Sequence, residues 1–338
     1  MRIALDVPPE LEREFDFLPG QHLPIQVTIN GRKLRRTYSI CSAPGRLPLE
    51  IGVRLQRGGR FAEYVANELQ AGDQIEVMPP SGQFVARPDP ARRRTTLVFA
   101  AGSGITPVLS IVRAILEAEP GSRVLMFYGN RKRATAMFVE DLFALKNRFP
   151  DRLQLVFVFS QEQQEFPILA GRLDAAKVSE LHAAFCEPVH PDEAFICGPG
   201  SMLDTVREAL VDLGMDPAAI HIERYGAPRR PGQPVVEKPV PAQADGTRVT
   251  LIMDGHRQSF MMPAGSDNIV DAAADRGIDL PYSCKGGVCA TCRTYLREGR
   301  VRMHANYALE PWEVDKGFVL ACQSKPLTDT IVIDYDQV

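Results

Sequence analysis

The cysteines of this chain are concentrated near its C-terminus. Three of the seven, Cys284, Cys289 and Cys292, follow one another with the spacing C-x4-C-x2-C, and 29 residues separate Cys292 from Cys322. Thiolates are soft ligands that suit iron and zinc. The other three cysteines are scattered along the chain. The pattern therefore predicts one metal site and isolated thiols, not a disulfide framework.

The four-cysteine spacing is that of plant-type 2Fe-2S sites, in which each of two irons is held tetrahedrally by two sulfurs. Gly286 and Gly287 let the backbone turn tightly, so that its N–H groups approach the cluster sulfides. A structural zinc site is the main alternative, but such sites usually pair their ligands as two C-x2-C units, and this chain has one. Buried, inert cysteines would not take this spacing by chance. The predicted metal ligands are Cys284, Cys289, Cys292 and Cys322.

A glycine-rich turn supplies a second candidate site. In "AAGSGITP", Gly102, Ser103 and Gly104 lie between a predicted strand and a predicted helix. Glycines there permit a phosphate to approach the helix N-terminus, and Pro107 suits the first helical turn. The motif alone is weak, and a tight strand–helix connection without a ligand is the alternative.

Three cations follow the next predicted strand. In "GNRKR", Arg131, Lys132 and Arg133 stand where an NAD-selective protein would offer a carboxylate to the ribose hydroxyls. Cations there would hold a 2′-phosphate, which favours NADPH over NADH. A solvated basic turn is the alternative for each of the three.

A third candidate group lies in the stretch "RRTYSICS". It contains a guanidinium that can pair with phosphate (Arg36), an aromatic platform (Tyr38) and a hydroxyl donor (Ser39). In a strand Arg36 and Tyr38 share one face. By itself, this stretch indicates only a β-strand with a basic start.

The surrounding sequence predicts a multidomain protein of 338 residues. Short β-rich runs punctuated by Gly and Pro predict a small antiparallel barrel over 1–92, interrupted by one helix that ends at Gly72. Near-continuous apolar runs alternating with amphipathic helices predict a parallel α/β sheet over 93–225. A proline-rich linker is predicted over 226–247, and the third domain covers 248–338.

Composition narrows the function classes. The chain is 45% hydrophobic and 24% charged with a net charge of −3, which argues against nucleic-acid binding. No apolar run approaches the roughly 18 residues of a membrane helix. The N-terminus lacks a basic and apolar signal region, so we expect a cytoplasmic protein.

The order of the motifs resembles the ferredoxin–NADP reductase superfamily. R-x-Y-S is followed by G-S-G-x-T-P and then by the C-G-P that begins at Cys197. The resemblance implies that Arg36 meets the flavin phosphates, that Tyr38 and Ser39 flank the isoalloxazine, and that Cys197 faces the nicotinamide. A small core residue ending a strand is the alternative for Cys197.

The resemblance also implies the full residue sets. The implied catalytic residues are Ser39 and Cys197. The cofactor-binding residues that the motifs and the resemblance together indicate are Arg36, Tyr38, Ser39, Val53, Gly59, Gly102, Ser103, Gly104, Thr106, Arg131, Gly198 and Pro199.

Two further stretches bear on the flavin. "PPSGQF" resembles the P-x-G-x-F of members that bind FAD, so the resemblance implies FAD and not FMN. The family usually has Ser or Thr in a G-x-x-S turn that contacts the pyrophosphate, whereas this chain has Ala62 there; we expect weaker FAD binding through helix N–H groups. The chain starts where relatives usually begin their second stretch, so we expect the first barrel strand to be shortened or absent.

Over almost its entire length the chain resembles the reductase subunits of ring-1,2-phenylacetyl-CoA epoxidases, and "DAAADRGIDLPYSCKGGVCATCRTYLREGRV" resembles a β-grasp ferredoxin. The family implies hydride transfer from NADPH to FAD and single-electron transfer through the cluster to a di-iron oxygenase. Two alternatives remain open. One is the reductase of a ring-hydroxylating dioxygenase or other monooxygenase; the other is a ferredoxin-like carrier without flavin activity, whose front half is only a docking scaffold.

Overall fold

The computed structural model describes most of the chain, in two compact units. The described residues are 1–55, 59–186, 190–225, 246–253, 255–282, 284–309 and 311–337, without the side chains of 32 and 33. One unit contains 1–34 and 38–225, and the other contains 35–37 and the described residues from 246 onward. Among the helices of these residues, none has the length and apolarity to cross a membrane.

The front of the first unit consists of short strands around one apolar core. β1 (Arg2–Leu5) pairs antiparallel with β4 (Leu49–Gly52). β2 (His22–Ile29) lies between β3 (Arg32–Ser39) and β5 (Glu76–Val77). Alternate residues of these strands point into the shared core because side chains alternate across a strand. The antiparallel pairing predicted for this region is confirmed, because β1 pairs antiparallel with β4 and β2 with β5.

The helix predicted in this region is shorter than expected. α1 spans Arg60–Asn67, and its C-cap Glu68 has a φ of −122°, outside the helical range. The N–H groups of Glu68 and Leu69 both donate to the carbonyl of Tyr64, which closes the last turn. The prediction that this helix extends to Gly72 is therefore wrong.

A five-stranded parallel sheet forms the rest of the first unit. Its strands are β6 (Thr95–Ala101), β7 (Arg123–Asn130), β8 (Leu153–Phe159), β9 (Glu193–Cys197) and β10 (Ile220–Glu223). All neighbours are parallel, in the order β10-β9-β6-β7-β8. The strand order reverses between β6 and β9, so the carboxyl ends of these two strands mark the topological switch point at which ligands bind in such sheets.

Helices cover both faces of this sheet, which explains its apolar strands. α2 (Ile105–Ala118) and α3 (Val139–Arg148) contribute to the core on one face. α4 (Ala175–Phe185) and α5 (Gly200–Asp212) contribute to the core on the other. α2 is buried nearly all round, since residues 105–112 and 114–116 are all buried.

The second unit is a mixed sheet with one principal helix, as expected for the β-grasp ferredoxin. In chain order its elements are β11 (Thr247–Met253), β12 (His256–Met262), α6 (Ile269–Ala274), β13 (Arg293–Glu298), β14 (Val301–Met303), α7 (Pro311–Asp315), β15 (Phe318–Leu320), β16 (Ser324–Pro326) and β17 (Thr330–Asp334). The main sheet has the order β12-β11-β17-β13-β15, and β11 runs parallel to β17. Of the predicted linker, 226–245 lie outside the described residues, and Thr247 opens β11.

Candidate functional site

The turn after β6 brings the backbone of two strand ends unusually close. Gly102 has a φ of +57°, in the left-handed region that favours glycine. A Cβ atom on Gly104 would lie 2.1 Å from the carbonyl oxygen of Cys197, at the end of β9. Both predicted glycines are therefore required by geometry: Gly102 by its backbone angle and Gly104 by the close approach.

The N-terminus of α2 follows this turn directly. Its N-cap residue is Gly104, which has no side chain to accept a hydrogen bond from the N–H groups of the first turn. The Thr106 hydroxyl donates to the carbonyl of Ser103 over 3.0 Å, which ties the turn to the helix. N–H groups at a helix start form a natural site for phosphate, so this region fits the pyrophosphate of a nucleotide.

The turn after β9 lies next to the first turn. A Cβ atom on Gly198 would lie 3.1 Å from the Cβ of Ala101 and 2.8 Å from the Cε of Met202. Pro199 is the N-cap residue of α5, and it too offers no side-chain cap. The G-S-G and C-G-P motifs therefore meet at the switch point of the sheet.

A residue that the motif analysis did not single out, Tyr225, joins three of the predicted residues. Its hydroxyl oxygen lies 3.0 Å from Ser39 Oγ and 2.9 Å from Thr106 Oγ1. Burial of the Cys197 thiol raises its pKa well above the usual value, although a hydrogen bond from Tyr225 opposes the shift. Ser39, Thr106 and Cys197 thus surround one phenol hydroxyl, although Tyr225 as a whole is 47% exposed.

The residues expected around the flavin lie on β3 and at the start of α1. The half-buried Tyr38 ring lies 4.9 Å from the ring of Phe61, measured between centroids. Gly59 is the N-cap of α1 and provides no side-chain cap. Ala62 lies in the first turn of this helix, with its side chain in the barrel core. The first-turn N–H groups are therefore suited to a pyrophosphate, as the sequence predicts.

Two other predicted flavin residues have different surroundings. Arg36 is exposed on β3, and its guanidinium donates to the carbonyl of Arg35. Val53 is 1% exposed, and its backbone bonds to Met1 in both directions. The side chain of Val53 is therefore buried and both of its backbone polar groups are already bonded within the protein, so its role at a cofactor stays a prediction.

The predicted basic turn lies at the carboxyl edge of the sheet, beside the end of β6. Arg131, Lys132 and Arg133 are all exposed. The Glu162 carboxylate accepts a hydrogen bond of 2.8 Å from the backbone N–H of Arg133. The turn can therefore present cations to a phosphate, while its backbone is fixed by the neighbouring loop.

Two residues at this site were not predicted from the sequence. Arg54 Nη1 lies 2.5 Å from where a Cβ of Gly102 would stand, which places its charge against the phosphate-binding turn. Tyr225 comes just before the proline-rich stretch, far from every motif in the sequence. Its position next to Thr106 depends on the pairing of β10 with β9 at the edge of the sheet. No local sequence pattern predicts this pairing.

The four predicted cysteine ligands form two pairs in the second unit. The thiols of Cys284 and Cys289 share a hydrogen bond, as do those of Cys292 and Cys322. Three of the four cysteines are buried, and Cys284 is partly exposed. Two pairs of sulfurs are the donor set that two irons require.

The loop between the first two cysteines points its backbone donors at sulfur. The N–H of Gly286 lies 3.3 Å from Cys284 Sγ, and the N–H of Cys284 lies 3.4 Å from Cys289 Sγ. Gly287 has a φ of +75°, and a Cβ there would lie 2.9 Å from the carbonyl oxygen of Ala305. The expected reason for glycines in this loop is therefore visible in its geometry.

The contact with Cys289 lowers the pKa of Cys284, against the opposing effect of burial. The hydrogen bond from Cys292 likewise lowers the pKa of Cys322. The two thiol pairs fit a cluster of two irons.

Three family models match the chain in succession. The oxidoreductase FAD-binding domain matches residues 1–85, the oxidoreductase NAD-binding domain 98–208, and the 2Fe-2S iron-sulfur cluster binding domain 251–327. These matches support the cofactor set predicted from the motifs.

Two curated relatives match nearly the whole chain. One of the subunits of 1,2-phenylacetyl-CoA epoxidase from Escherichia coli (strain K12) is 43% identical, over 99% of this chain and 93% of that protein. The ferredoxin reductase component of 3-ketosteroid-9-alpha-monooxygenase from Rhodococcus rhodochrous is 33% identical, over 98% of this chain and 92% of that protein.

A solved structure shares the fold. Phthalate dioxygenase reductase, described as a modular structure for electron transfer from pyridine nucleotides to a 2Fe-2S centre, has a TM-score of 0.56 and 23% identity. The match covers 98% of this chain and 89% of that one. At this level of identity the likeness concerns the fold alone.

We predict that Cys322→Ser removes the cluster and leaves the flavin reaction intact, because the four cysteines and the nucleotide site lie in separate units. Iron and acid-labile sulfide should fall to background in the variant, while NADPH still reduces the flavin. Reduction of a one-electron protein acceptor should be lost. Cys41→Ser, a buried thiol outside the cluster, is the control and should keep its iron. Zinc without labile sulfide in the parent protein would contradict the assignment.

We also predict that Tyr225→Phe lowers the KM for NADPH. If the nicotinamide lies beside Cys197, the Tyr225 ring must move, and two hydrogen bonds hold it in place. Each is worth about 0.5–1.5 kcal/mol, or about 1–3 kcal/mol for the two, so losing their restraint should lower the KM by a factor of about 5 to 150. Steady-state kinetics with a small-molecule acceptor measures this. A higher KM would mean that the hydroxyl binds the nucleotide instead of competing with it.

Proposed function

Because the chain belongs to the family of reductases that join FAD-binding, NAD-binding and 2Fe-2S cluster-binding domains, we propose that it passes electrons from NADPH to a di-iron oxygenase. The oxidoreductase class follows from the family itself. The specific proposal is that the acceptor is a phenylacetyl-CoA epoxidase.

The observation that carries the proposal is the meeting of Ser39, Thr106 and Cys197 around the Tyr225 hydroxyl. Ser39 ends β3, Thr106 lies in the first turn of α2 and Cys197 ends β9. These are the elements expected to hold flavin and nicotinamide. Their convergence favours an enzyme that brings the two rings together. A ferredoxin-like carrier with an inert front half would have no need of it.

The residues of the chain bind, orient and shield the reacting groups. Bound FAD accepts a hydride and releases single electrons, and the cluster carries one electron at a time. The α1 and α2 N-termini bind the pyrophosphates through backbone N–H groups. Cys197 stays protonated and neutral, so it offers no negative charge beside the nicotinamide. Ser39 provides a hydroxyl at the flavin side of the same space.

In the second unit, the loop after Cys284 stabilises the cluster. Backbone N–H groups of Gly286 and Cys284 donate to cysteine sulfurs. Hydrogen bonds to sulfur stabilise the negative charge that an added electron brings, and they are a recognised determinant of cluster potentials.

The choice of acceptor rests on the whole-chain likeness to an epoxidase component. The runner-up is the reductase of another monooxygenase or of a ring-hydroxylating dioxygenase, which the steroid-monooxygenase relative and the dioxygenase reductase fold favour. We also propose a cytoplasmic location, because four cysteines can serve as iron ligands only while they remain reduced.

We predict a preference for NADPH over NADH that depends on Arg131. A charge-assisted contact to a 2′-phosphate is worth about 1.5–3 kcal/mol, so Arg131→Ala should raise the KM for NADPH about tenfold to hundredfold and leave that for NADH nearly unchanged. Arg207→Ala, an exposed arginine on α5, is the matched control. Equal losses with both nucleotides would place Arg131 at the shared pyrophosphate or in the fold.

The acceptor is tested by reconstitution. The purified chain, NADPH, phenylacetyl-CoA and purified epoxidase should together give substrate-dependent NADPH oxidation and epoxidised product. Omitting phenylacetyl-CoA should reduce the oxidation to the uncoupled rate. If a cluster-loaded, flavin-loaded reductase drives a ring-hydroxylating dioxygenase well and the epoxidase not at all, the runner-up is correct.

A further inference from the structure

The hydroxyl of Tyr128 lies against the turn that follows β6. Tyr128 belongs to β7, and its side chain is fully buried in the core that α2 and α3 share with the sheet. The hydroxyl donates a hydrogen bond of 2.9 Å to the carbonyl of Gly102, the residue of the turn with the left-handed backbone. A buried phenol therefore fixes the turn at which the pyrophosphate of a nucleotide is expected.

The same hydroxyl binds a second segment, which lies just after the basic turn. The backbone N–H of Met137 donates to the Tyr128 oxygen over 3.1 Å. Met137 follows the short 3-10 helix Arg133–Thr135, which begins with the last of the three cations. Burial raises the pKa of Tyr128 to about 12, so the phenol keeps its proton. A neutral hydroxyl can donate to one partner while it accepts from another.

The segment around Met137 has a strained backbone. Phe138 has a φ of +58°, in the left-handed region that bulky side chains rarely adopt. Its ring lies so close to Gly52 that a Cβ atom on Gly52 would be 2.8 Å from the ring carbons. Strain of this kind persists only where surrounding contacts determine the backbone. Tertiary contacts therefore set the position of this segment, and the Tyr128 bond is one of them.

The basic turn is held from its other side by the loop after β8. The carbonyl of Arg131 accepts a hydrogen bond of 2.9 Å from the N–H of Gln161, and the Glu162 carboxylate accepts the N–H of Arg133. These contacts fix the turn to β8. The Tyr128 hydroxyl instead connects the end of the basic turn to the turn at Gly102, so one atom joins the two segments predicted to bind phosphates.

We propose that Tyr128 is a positioning residue for NADPH, and that its hydroxyl sets the distance between the turn that binds the pyrophosphate and the basic turn that binds the 2′-phosphate. Both groups belong to one nucleotide, so the cations must stand at a fixed distance from the pyrophosphate site to reach the 2′-phosphate. NADH has no 2′-phosphate and uses the first turn alone. The proposal rests on the proposed function, because it requires NADPH as the electron donor.

Removing the hydroxyl should affect the two nucleotides unequally. Loss of the bond to Gly102 weakens the binding of both. Loss of the bond from Met137 displaces the cations and weakens the binding of the 2′-phosphorylated nucleotide alone. One hydrogen bond changes an equilibrium constant about twofold to tenfold, so Tyr128→Phe should lower the preference for NADP⁺ over NAD⁺ by about that factor.

The test measures the dissociation constants of NADP⁺ and NAD⁺ by calorimetry on the full-length protein loaded with flavin and cluster, so it requires no turnover. The variants are Tyr128→Phe, Arg131→Ala and the double variant. If Tyr128 acts by positioning Arg131, the double variant should have the same preference as Arg131→Ala alone, because contacts that act through one another are not additive.

Thr96→Val is the matched control within the same sheet. Thr96 is fully buried, and its hydroxyl donates a hydrogen bond of 3.0 Å to Glu193. It stands near the start of β6, whereas Gly102 follows the end of that strand. Thr96→Val therefore removes a buried hydrogen bond away from both turns, and it should keep the preference of the parent protein.

A second variant removes the other partner of the bond. Met137→Pro deletes the backbone N–H and leaves Tyr128 in place. Ala136, with φ −73° and ψ 134°, already has the extended backbone that a residue before proline requires. Met137→Pro should weaken NADP⁺ binding about twofold to tenfold and leave NAD⁺ binding unchanged. It decides between the outcomes if Tyr128→Phe does not fold.

Tyr128→Phe or Met137→Pro with full flavin content and the preference of the parent would overturn the proposal. So would a loss of preference on adding Tyr128→Phe to Arg131→Ala that is as large as in the parent, or an equal loss in Thr96→Val. A parent protein that binds NAD⁺ and NADP⁺ equally would overturn it together with the predicted preference for NADPH. A chain that keeps its preference but does not drive the epoxidase would leave it standing and would count against the proposed acceptor alone.

Discussion

The close approach of two backbone turns at the switch point of the parallel sheet is the constraint on which the rest of the nucleotide site depends. The carbonyl of Cys197 occupies the space where Gly104 would carry a side chain. Any larger residue at Gly104 would push apart the ends of β6 and β9, and with them Thr106 and the Cys197 thiol. The Tyr225 hydroxyl, which bonds to Thr106 and Ser39, would then lose its position. One missing Cβ atom therefore underlies the geometry of the whole site.

Both proposed redox sites use backbone N–H groups to stabilise negative charge. At α1 and α2, backbone N–H groups without side-chain caps are available to the negative charge of phosphates. In the cluster loop, the N–H groups of Gly286 and Cys284 are aimed at sulfur. In both settings glycine lets the backbone approach a charge that a side chain would hold at a distance. Donors fixed by the fold need little rearrangement when charge arrives, which suits repeated electron transfer.

Much of this architecture could be predicted from the sequence, because it depends on local patterns. Apolar runs on both sides of "AGSGITP" indicate a parallel sheet, and C-x4-C-x2-C indicates a 2Fe-2S cluster. Features that depend on distant parts of the chain could not be predicted. No local sequence pattern indicates that Arg54 lies against Gly102, or that Tyr225 lies next to Thr106. The predicted C-terminal end of α1 was wrong because helical propensity extends past Glu68. In the structure the last turn closes on the Tyr64 carbonyl.

An anaerobic titration with NADPH, followed by visible absorption on protein of known flavin and iron content, tests the central claim most directly. The account predicts one flavin and one 2Fe-2S cluster per chain, both reduced by the nucleotide, with an uptake of about three electrons per chain. It also predicts that the flavin is reduced first and the cluster only through it, so that flavin-depleted protein leaves the cluster oxidised. Reduction of the cluster by NADPH in the absence of flavin, or protein that binds no flavin at all, would contradict it.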